Sequence, residues 1–455
     1  MSEKKAMNRR EFLGSTVAAS AAAFTIVPRN VLGGPGFKAP SDQLNIAGIG
    51  IGGKGKHNLR ECAKLGENIV ALCDVDEDYA ADAFKEFPDA KAYKDFRVML
   101  EKQKDIDAVI IATPDHSHAV IALAAMELEK HAYVQKPLTR TVSEARLLTE
   151  AARKYNVATQ MGNEGHSKES VRILTEWISD GAIGKVREVH AWTDRPWWLH
   201  GIYRPHEKPD VPEKLDWDLW LGPAPYRPYH PAYLPWVWRG WWDYGTGALG
   251  DMGCHVLDVV YSALNLEAPG SVEACSPVMY AQRHCKKDTL SETAPVASIV
   301  RYQFPKHKKT PALTLSWYDG GLMPPRPNEL EPERKMGDNG LIFIGDKGTI
   351  LSGIYGDGAR IIPEKKMKKY KLPKKTLPRV EGNHEQNWIQ ACKGGEPACA
   401  DFDYSGPFTE IVLLGNVAIR AGEKIEWDAK KMKVTNNEKA NQYIKSPCRA
   451  GWGIN

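Results

Sequence analysis

No run of this chain reaches the roughly 20 consecutive apolar residues that a bilayer-spanning helix requires. The nearest approach, Phe12–Val27, holds 16 residues and is broken by Gly14, Ser15, Thr16, Ser20 and Thr25. Cysteine pairs at metal-binding spacing are also missing: eight cysteines occur without a C-x-x-C, which argues against a zinc site. Cys392 and Cys399 bracket Lys-Gly-Gly-Glu-Pro-Ala and could bridge a loop, but buried free thiols are the expected state. Charge of one sign is scarce, with a formal net charge of +4 over 455 residues. Neither a polybasic groove nor an RNA-binding signature appears, so no nucleic-acid partner is expected. Internal repeats are absent, and no Asp/Glu pair has a readable separation, which disfavours an ordinary two-carboxylate glycosidase.

At this length two domains are expected. Residues 1–40 read as a targeting segment and linker, because Asn8-Arg9-Arg10-Glu11-Phe12-Leu13 places a twin arginine before an Ala-rich run. The expectation is export by the twin-arginine machinery to the periplasm, with the signal cleaved near Ala18–Ala23 or retained as an anchor. That route carries folded proteins, so a cofactor would be acquired before export and held tightly.

The most informative segment is Leu44-Asn-Ile-Ala-Gly-Ile-Gly-Ile-Gly-Gly-Lys54. Read as G-x-G-x-x-G, Gly48, Gly50 and Gly53 describe a strand turning into a helix whose N-terminus receives a pyrophosphate. Ile69–Cys73 reads as a second buried strand followed by Asp74, where a carboxylate would meet a ribose 2′-OH. An acidic cap of the turn is the alternative, since Asp76, Glu77 and Asp78 crowd it. A carboxylate there repels a 2′-phosphate, which favours NAD(H) over NADP(H).

Apolar runs alternate with helical stretches over 41–162, as in a doubly wound parallel sheet, an α/β fold. Expected elements include a strand at Asp107–Thr113, helices at Ala119–Leu128 and Ser143–Lys154, and strands at Ala132–Val134 and Val157–Met161. The second domain, 163–455, is expected to be α+β with a largely antiparallel open sheet. It opens with a helix at Ser170–Ser179 and a strand at Val186–Thr193. An irregular Trp- and Pro-rich excursion near 194–245 follows, and loops of that length are usually functional. A helix at Cys254–Leu264 and strands at 297–304, 312–318, 341–344 and 348–352 complete the reading. Pro363–Pro378 carries seven lysines and reads as a solvated loop.

Three clusters carry candidate chemistry. Ala112-Thr-Pro-Asp-His-Ser-His118 borders the crevice at a strand's carboxyl end. His116 and His118 lack an acidic companion, so they are expected to line the nicotinamide side or cap the next helix rather than bind metal. Gln135-Lys136-Pro137 aims a lysine at the same crevice, where an ammonium stabilises a developing alkoxide. Asp251 and His255 lie four apart, on one face of a helix, so a carboxylate can orient an imidazole that takes a hydroxyl proton. Capping by Asp251 beside a packed His255 is the alternative.

Together these motifs resemble the glucose–fructose oxidoreductase / inositol dehydrogenase (Gfo/Idh/MocA) family. The resemblance implies catalytic roles for Lys136, Asp251 and His255. It implies nucleotide contacts from Gly48, Gly50, Gly53, Asp74, Thr113, Pro114, His118, Gln135 and Lys136, and pairing into homo-oligomers. Gln135 departs from the family's usual Glu, removing a carboxylate that favours the charged lysine. Nine tryptophans fall within 192–242. Since aromatic faces stack on sugar rings, a carbohydrate or polyol substrate is expected, with His166, Arg239, Trp241 and Trp242 as candidate contacts and most of the tryptophans structural. The leading expectation is hydride transfer between a sugar or polyol carbon and NAD. An NAD-assisted glycoside hydrolase and a non-catalytic sugar-binding module are the alternatives.

Overall fold

The structure, a computed structural model, describes residues 42–277, 279–280, 287–288, 292–308 and 310–453. The twin-arginine segment lies outside them. The apolar runs expected after Gln43 form a six-stranded parallel sheet: β1 (Asn45–Ile49), β2 (Asn68–Cys73), β3 (Lys91–Tyr93), β4 (Ala108–Ile111), β5 (His131–Val134) and β6 (Thr159–Met161). Their order is β3-β2-β1-β4-β5-β6. β4 is buried along its whole length and β1 along all but its first residue, which explains their unbroken apolar sequence. The order reverses between β1 and β4, where a doubly wound sheet opens a crevice beyond its carboxyl ends.

Crossover helices span Lys54–Lys64, Ala81–Glu86, Phe96–Lys102, Asp115–Met126 and Val142–Tyr155. The last starts with a capping box between Thr141 and Glu144 and stops at left-handed Asn156. Two helices begin earlier than the sequence suggested. That expected from Ala119 starts at Asp115, directly after Pro114, whose missing N–H costs nothing at a helix start. That expected from Cys254 starts at Gly247. Gly250 and Gly253 weaken its helical signature, yet packing demands them: a Cβ on Gly250 would lie 2.0 Å from Thr246 Oγ1, and one on Gly253 3.0 Å from Val412.

The second sheet has nine strands: β7 (Val186–Trp192), β8 (Ser271–Cys275), β11 (Ile299–Phe304), β12 (Leu313–Tyr318), β13 (Gly340–Gly345), β14 (Thr349–Ser352), β15 (Arg360–Ile362), β16 (Ile425–Asp428) and β17 (Lys433–Val434). A separate two-stranded ladder joins β9 (Met279–Tyr280) to β10 (Lys287–Asp288). The order is β15-β14-β13-β7-β12-β11-β8-β16-β17, and every pair except β7–β12 is antiparallel. The largely antiparallel expectation therefore holds. Helices Glu169–Ser179, Gly247–Leu264 and Phe402–Ala421 pack together with this sheet in one continuous apolar core.

The excursion after β7 builds a small core of its own around Trp217, Trp220, Tyr233, Trp241 and Tyr244. It docks on the parallel sheet's carboxyl ends through Asp216 N to Val75 O at 2.9 Å and His116 N to Tyr244 O at 3.2 Å. Cys392 and Cys399 are free thiols. The lysine-rich loop is solvated, with Lys375 paired to Glu169 at 2.6 Å.

Candidate active site

A cavity of about 520 Å³ lies between the parallel sheet's carboxyl ends and the docked excursion. At one end is the glycine turn, and here the structure shifts the expected register by two residues. Gly48 sits inside β1, where its missing side chain leaves room for Leu59. Gly50 makes the turn at φ +78°, and a Cβ on it would lie 2.7 Å from the Ala112 backbone. A Cβ on Gly55, in the helix's first turn, would lie 2.3 Å from Gly50 O. The three duties of the fingerprint thus fall on Gly50, Gly52 and Gly55. Gly53 still lines the cavity but meets nothing closer than the Tyr79 hydroxyl, at 2.9 Å.

Asp74 also lines the cavity, and it braces the turn. Its Oδ2 accepts from Ile51 N at 2.8 Å and Gly52 N at 3.1 Å, its Oδ1 from Asp76 N at 3.1 Å. Burial pushes its pKa up to about 6 against those donors. Thr113, Pro114 and Gln135 line the same space.

At the other end Lys136, Asp251 and His255 come together. Lys136 Nζ donates to Asp251 Oδ1 at 2.6 Å and to Asp251 O at 3.1 Å. Arg239 Nε donates to the same carboxylate oxygen at 3.2 Å. Asp251 is buried, but these two cations hold its pKa well below the usual carboxylate range. His255 follows one turn later, with its ring edge-on to Tyr355, centroids 5.6 Å apart. Its buried Nδ1 has no hydrogen-bond partner. Burial first, then the Lys136 charge, push its pKa down to about 3, so the ring is neutral.

Five other expected contacts lie off this cavity. His118 is buried, with ring nitrogens 2.9 Å from Pro137 O and 2.8 Å from Thr113 O. It ties the Thr113 loop to the lysine loop instead of facing a ligand. His116 is likewise buried, 3.0 Å from Trp220 O, and acts as a strut to the excursion. His166 is turned to Asp258 Oδ2 at 2.8 Å. Trp241 is fully buried and donates to Ala232 O at 2.9 Å, and Trp242 packs beneath Arg420. Each spends its polar atoms or ring on the protein, as most buried tryptophans and histidines do.

Of the excursion's tryptophans, Trp220, Trp236 and Trp238 line the cavity instead, the last two flanking Arg239 with ring centres 4.1 and 4.2 Å from its guanidinium carbon. Trp236 is 51 % exposed and sits at φ +69°, a conformation rare for a bulky residue. Tyr79, Arg195, Glu164 and Tyr355 also line the cavity and were not anticipated. No motif surrounds them in sequence; the topology gathers them.

Two family models match the chain. The first, an oxidoreductase family with an NAD-binding Rossmann fold, covers residues 44–163. The second, the C-terminal α/β domain of that family, covers residues 172–284. Together they take in just over half of the chain. It belongs to the Gfo/Idh/MocA oxidoreductase family. Within that family, levoglucosan dehydrogenase of Pseudarthrobacter phenanthrenivorans is 28 % identical over 43 % of this chain and 43 % of its own. Inositol 2-dehydrogenase of Serratia proteamaculans is 31 % identical over 32 % of this chain and 44 % of its own. A glycosyl hydrolase family 109 protein of Shewanella pealeana is 28 % identical over 40 % and 44 %. The chain thus spans less than half the length of these curated relatives. Among solved structures, the WlbA dehydrogenase of Bordetella pertussis, in complex with NADH and UDP-GlcNAcA, has a TM-score of 0.59 at 17 % identity. That likeness covers 85 % of this chain and 99 % of the other, and shows a shared fold.

The Gfo/Idh/MocA cofactor is NAD, and the residues present fit it. Gly50 and Gly55 clear the approach of backbone to a pyrophosphate, while Asp74 stands at the end of β2 where a ribose hydroxyl would be read. The departure at Gln135 also has a local cause. Its Nε2 donates to Asn58 Oδ1 at 2.9 Å, and Asn58 Nδ2 donates to Glu385 Oε1 at 2.6 Å. Glu164 lies at the same cluster, paired with Lys54. A glutamate at 135 would add a third carboxylate to this group. His57, Glu164 and Glu385 bring ligand atoms within 4.8 Å of one another, but Lys54 and Asn58 already serve those carboxylates.

Proposed function

We propose that this protein oxidises a carbinol carbon of a sugar or polyol to the ketone, and can run the reverse step. The observation that carries the reading is the Lys136–Asp251 pair with neutral His255 one turn away, in the same cavity as the glycine turn. Bound NAD supplies the hydride acceptor. Lys136, with two of its donors fixed on Asp251, offers the third to the substrate oxygen and stabilises negative charge developing there. His255, whose buried Nδ1 has no hydrogen-bond partner among the described residues, accepts the hydroxyl proton, and the Asp251 carboxylate favours the imidazolium that forms. Trp236 and Trp238 offer apolar faces to the ring, and the sugar and polyol dehydrogenases among the relatives support that substrate class.

Incubating purified protein with free sugars, polyols and aryl glycosides tests this, following NADH absorbance, keto-product and aglycone. Keto-sugar without aglycone is expected. Aglycone without net NADH would instead support oxidation-assisted glycoside cleavage, a reading favoured by the glycosyl hydrolase family 109 relatives. Ligand binding without either product would leave a sugar-binding module.

The twin arginine supports export to the periplasm, where free nucleotide is scarce, and a cofactor carried in the folded enzyme. Replacing Arg9 and Arg10 with lysines should retain the protein in the cytoplasm, as read by fractionation. Denaturing the purified enzyme should release near-stoichiometric nucleotide. Pairing of two copies through the second sheet is proposed from family membership, and sedimentation tests it.

A further inference from the structure

Three cations reach the substrate end of the cavity, and one carboxylate answers two of them. Lys136 and Arg239 share Asp251. Arg195, just beyond β7, lines the same cavity and has no acidic partner among the described residues. Its Nε is buried without any hydrogen-bond partner, and its guanidinium carbon rests 3.3 Å from the centre of the Trp197 ring. Neighbouring carboxylates are committed elsewhere. Asp194 accepts from Asn339 Nδ2 at 3.1 Å and from Trp197 Nε1 at 3.0 Å. Glu164 is paired with Lys54. Arg195 is close enough to His255 that its charge opposes protonation of that ring.

The sum at this end is an excess of positive charge held partly out of water, to which an oxidised nicotinamide would add one more. Leaving such charge unanswered is costly, and a bound neutral sugar would bury it further. A guanidinium's planar fork matches a carboxylate in two parallel hydrogen bonds. We propose that Arg195 receives the carboxylate of a sugar acid, so that the substrate is an acidic monosaccharide rather than a neutral sugar or polyol. The assignment rests on the reading that a carbinol is oxidised in this cavity. Arg239, fixed between Trp236 and Trp238 and bonded to Asp251, sets the second positive edge of the same pocket.

The test pairs acids with their neutral partners on the full-length holoenzyme: glucuronate with glucose, galacturonate with galactose, gluconate with sorbitol, and glucose 6-phosphate as a phosphate control. Tryptophan fluorescence reads binding, and keto-product formation reads turnover. At least one carboxylate is expected to bind tenfold or more tightly than its partner, and to be oxidised. In Arg195→Gln that ratio should collapse towards one, and Arg195→Lys should recover part of it; unfolding temperature and NADH binding show that each variant is folded. Equal or weaker binding of every acid overturns the proposal, as does a ratio unchanged in Arg195→Gln. Preference for the phosphate over all carboxylates overturns the carboxylate assignment. Failure of every pair to bind or react sinks the sugar-oxidation reading itself, whereas neutral sugars oxidised without acid preference sink this inference alone.

Discussion

Asp251 holds two cations with one carboxylate oxygen, and the chemistry of the site follows from that economy. Removing Lys136 leaves Asp251 with Arg239, so the fold should survive while the donor to the reacting oxygen is lost. Lys136→Met is expected to lower kcat by about 10²–10³-fold, the usual cost of one such donor. Steady-state rates on folded variant check this, and a loss below tenfold would remove Lys136 from the chemistry. His255 makes a sharper claim. With its pKa pushed down to about 3, the ring should show no titration near its ordinary 6.5. Ring NMR signals of the free enzyme, assigned by comparison with His255→Gln, will decide. A midpoint near 6.5 would mean that the ring is more solvated than its burial in the fold shows.

At the scale of elements, the glycine turn separates what periodicity can say from what packing decides. The string Gly48-x-Gly50-x-Gly52-Gly53-x-Gly55 admits two G-x-G-x-x-G readings, and spacing alone does not choose between them. The choice depends on where β1 ends, and strand ends are set by tertiary hydrogen bonds such as Gly50 N to Cys73 O at 2.9 Å. Gly50→Ala and Gly55→Ala should each abolish NADH binding and destabilise the protein, because the new Cβ meets backbone at 2.7 and 2.3 Å. Gly53→Ala should be mild, since its nearest neighbour is the hydroxyl of a flexible tyrosine. Fluorescence titration and thermal unfolding of the three variants check the order; equal damage at 53 and 55 would restore the earlier register. The parallel strands and the Lys136, Asp251 and His255 motifs were legible because each combines a strand or helix signature with a chemical side chain. Tyr79, Arg195 and Tyr355 were not, since they reach the cavity from a loop, a strand end and a turn far apart in sequence. Trp241 and Trp242 misled for the opposite reason: their position beside the helix of Asp251 and His255 matched a substrate contact, but Trp241 is taken up in the excursion's own core and Trp242 packs beneath Arg420.

Over the whole molecule, burial has displaced titrations in opposite directions. His116, His118, His200 and His384 are each pushed down to about 4, while Asp74 and Asp319 are pushed up to about 6 and Asp115 to about 7. Unfolding at mildly acid pH therefore loads protons onto histidines and strips them from aspartates, and the two trends oppose each other in any single stability curve. A comparison of wild type with Asp115→Asn isolates one group. Asp115 is 3 % exposed, and Thr246 Oγ1 donates to its Oδ2 at 2.7 Å, a bond that asparagine's carbonyl can still accept. In the folded protein it keeps its proton up to about 7, against 3.8 for an ordinary aspartate. Its contribution is thus fully present below about 4 and is lost as pH rises through about 7. Relative to wild type, Asp115→Asn should gain stability with rising pH across that window, by at most about 1.4 kcal/mol per pH unit. Above about 7 the difference should be constant. Urea unfolding of both proteins at several pH values measures it directly. A difference independent of pH between 4 and 7 would show that Asp115 is already ionised in the fold, and that water reaches the start of the Gly247–Leu264 helix.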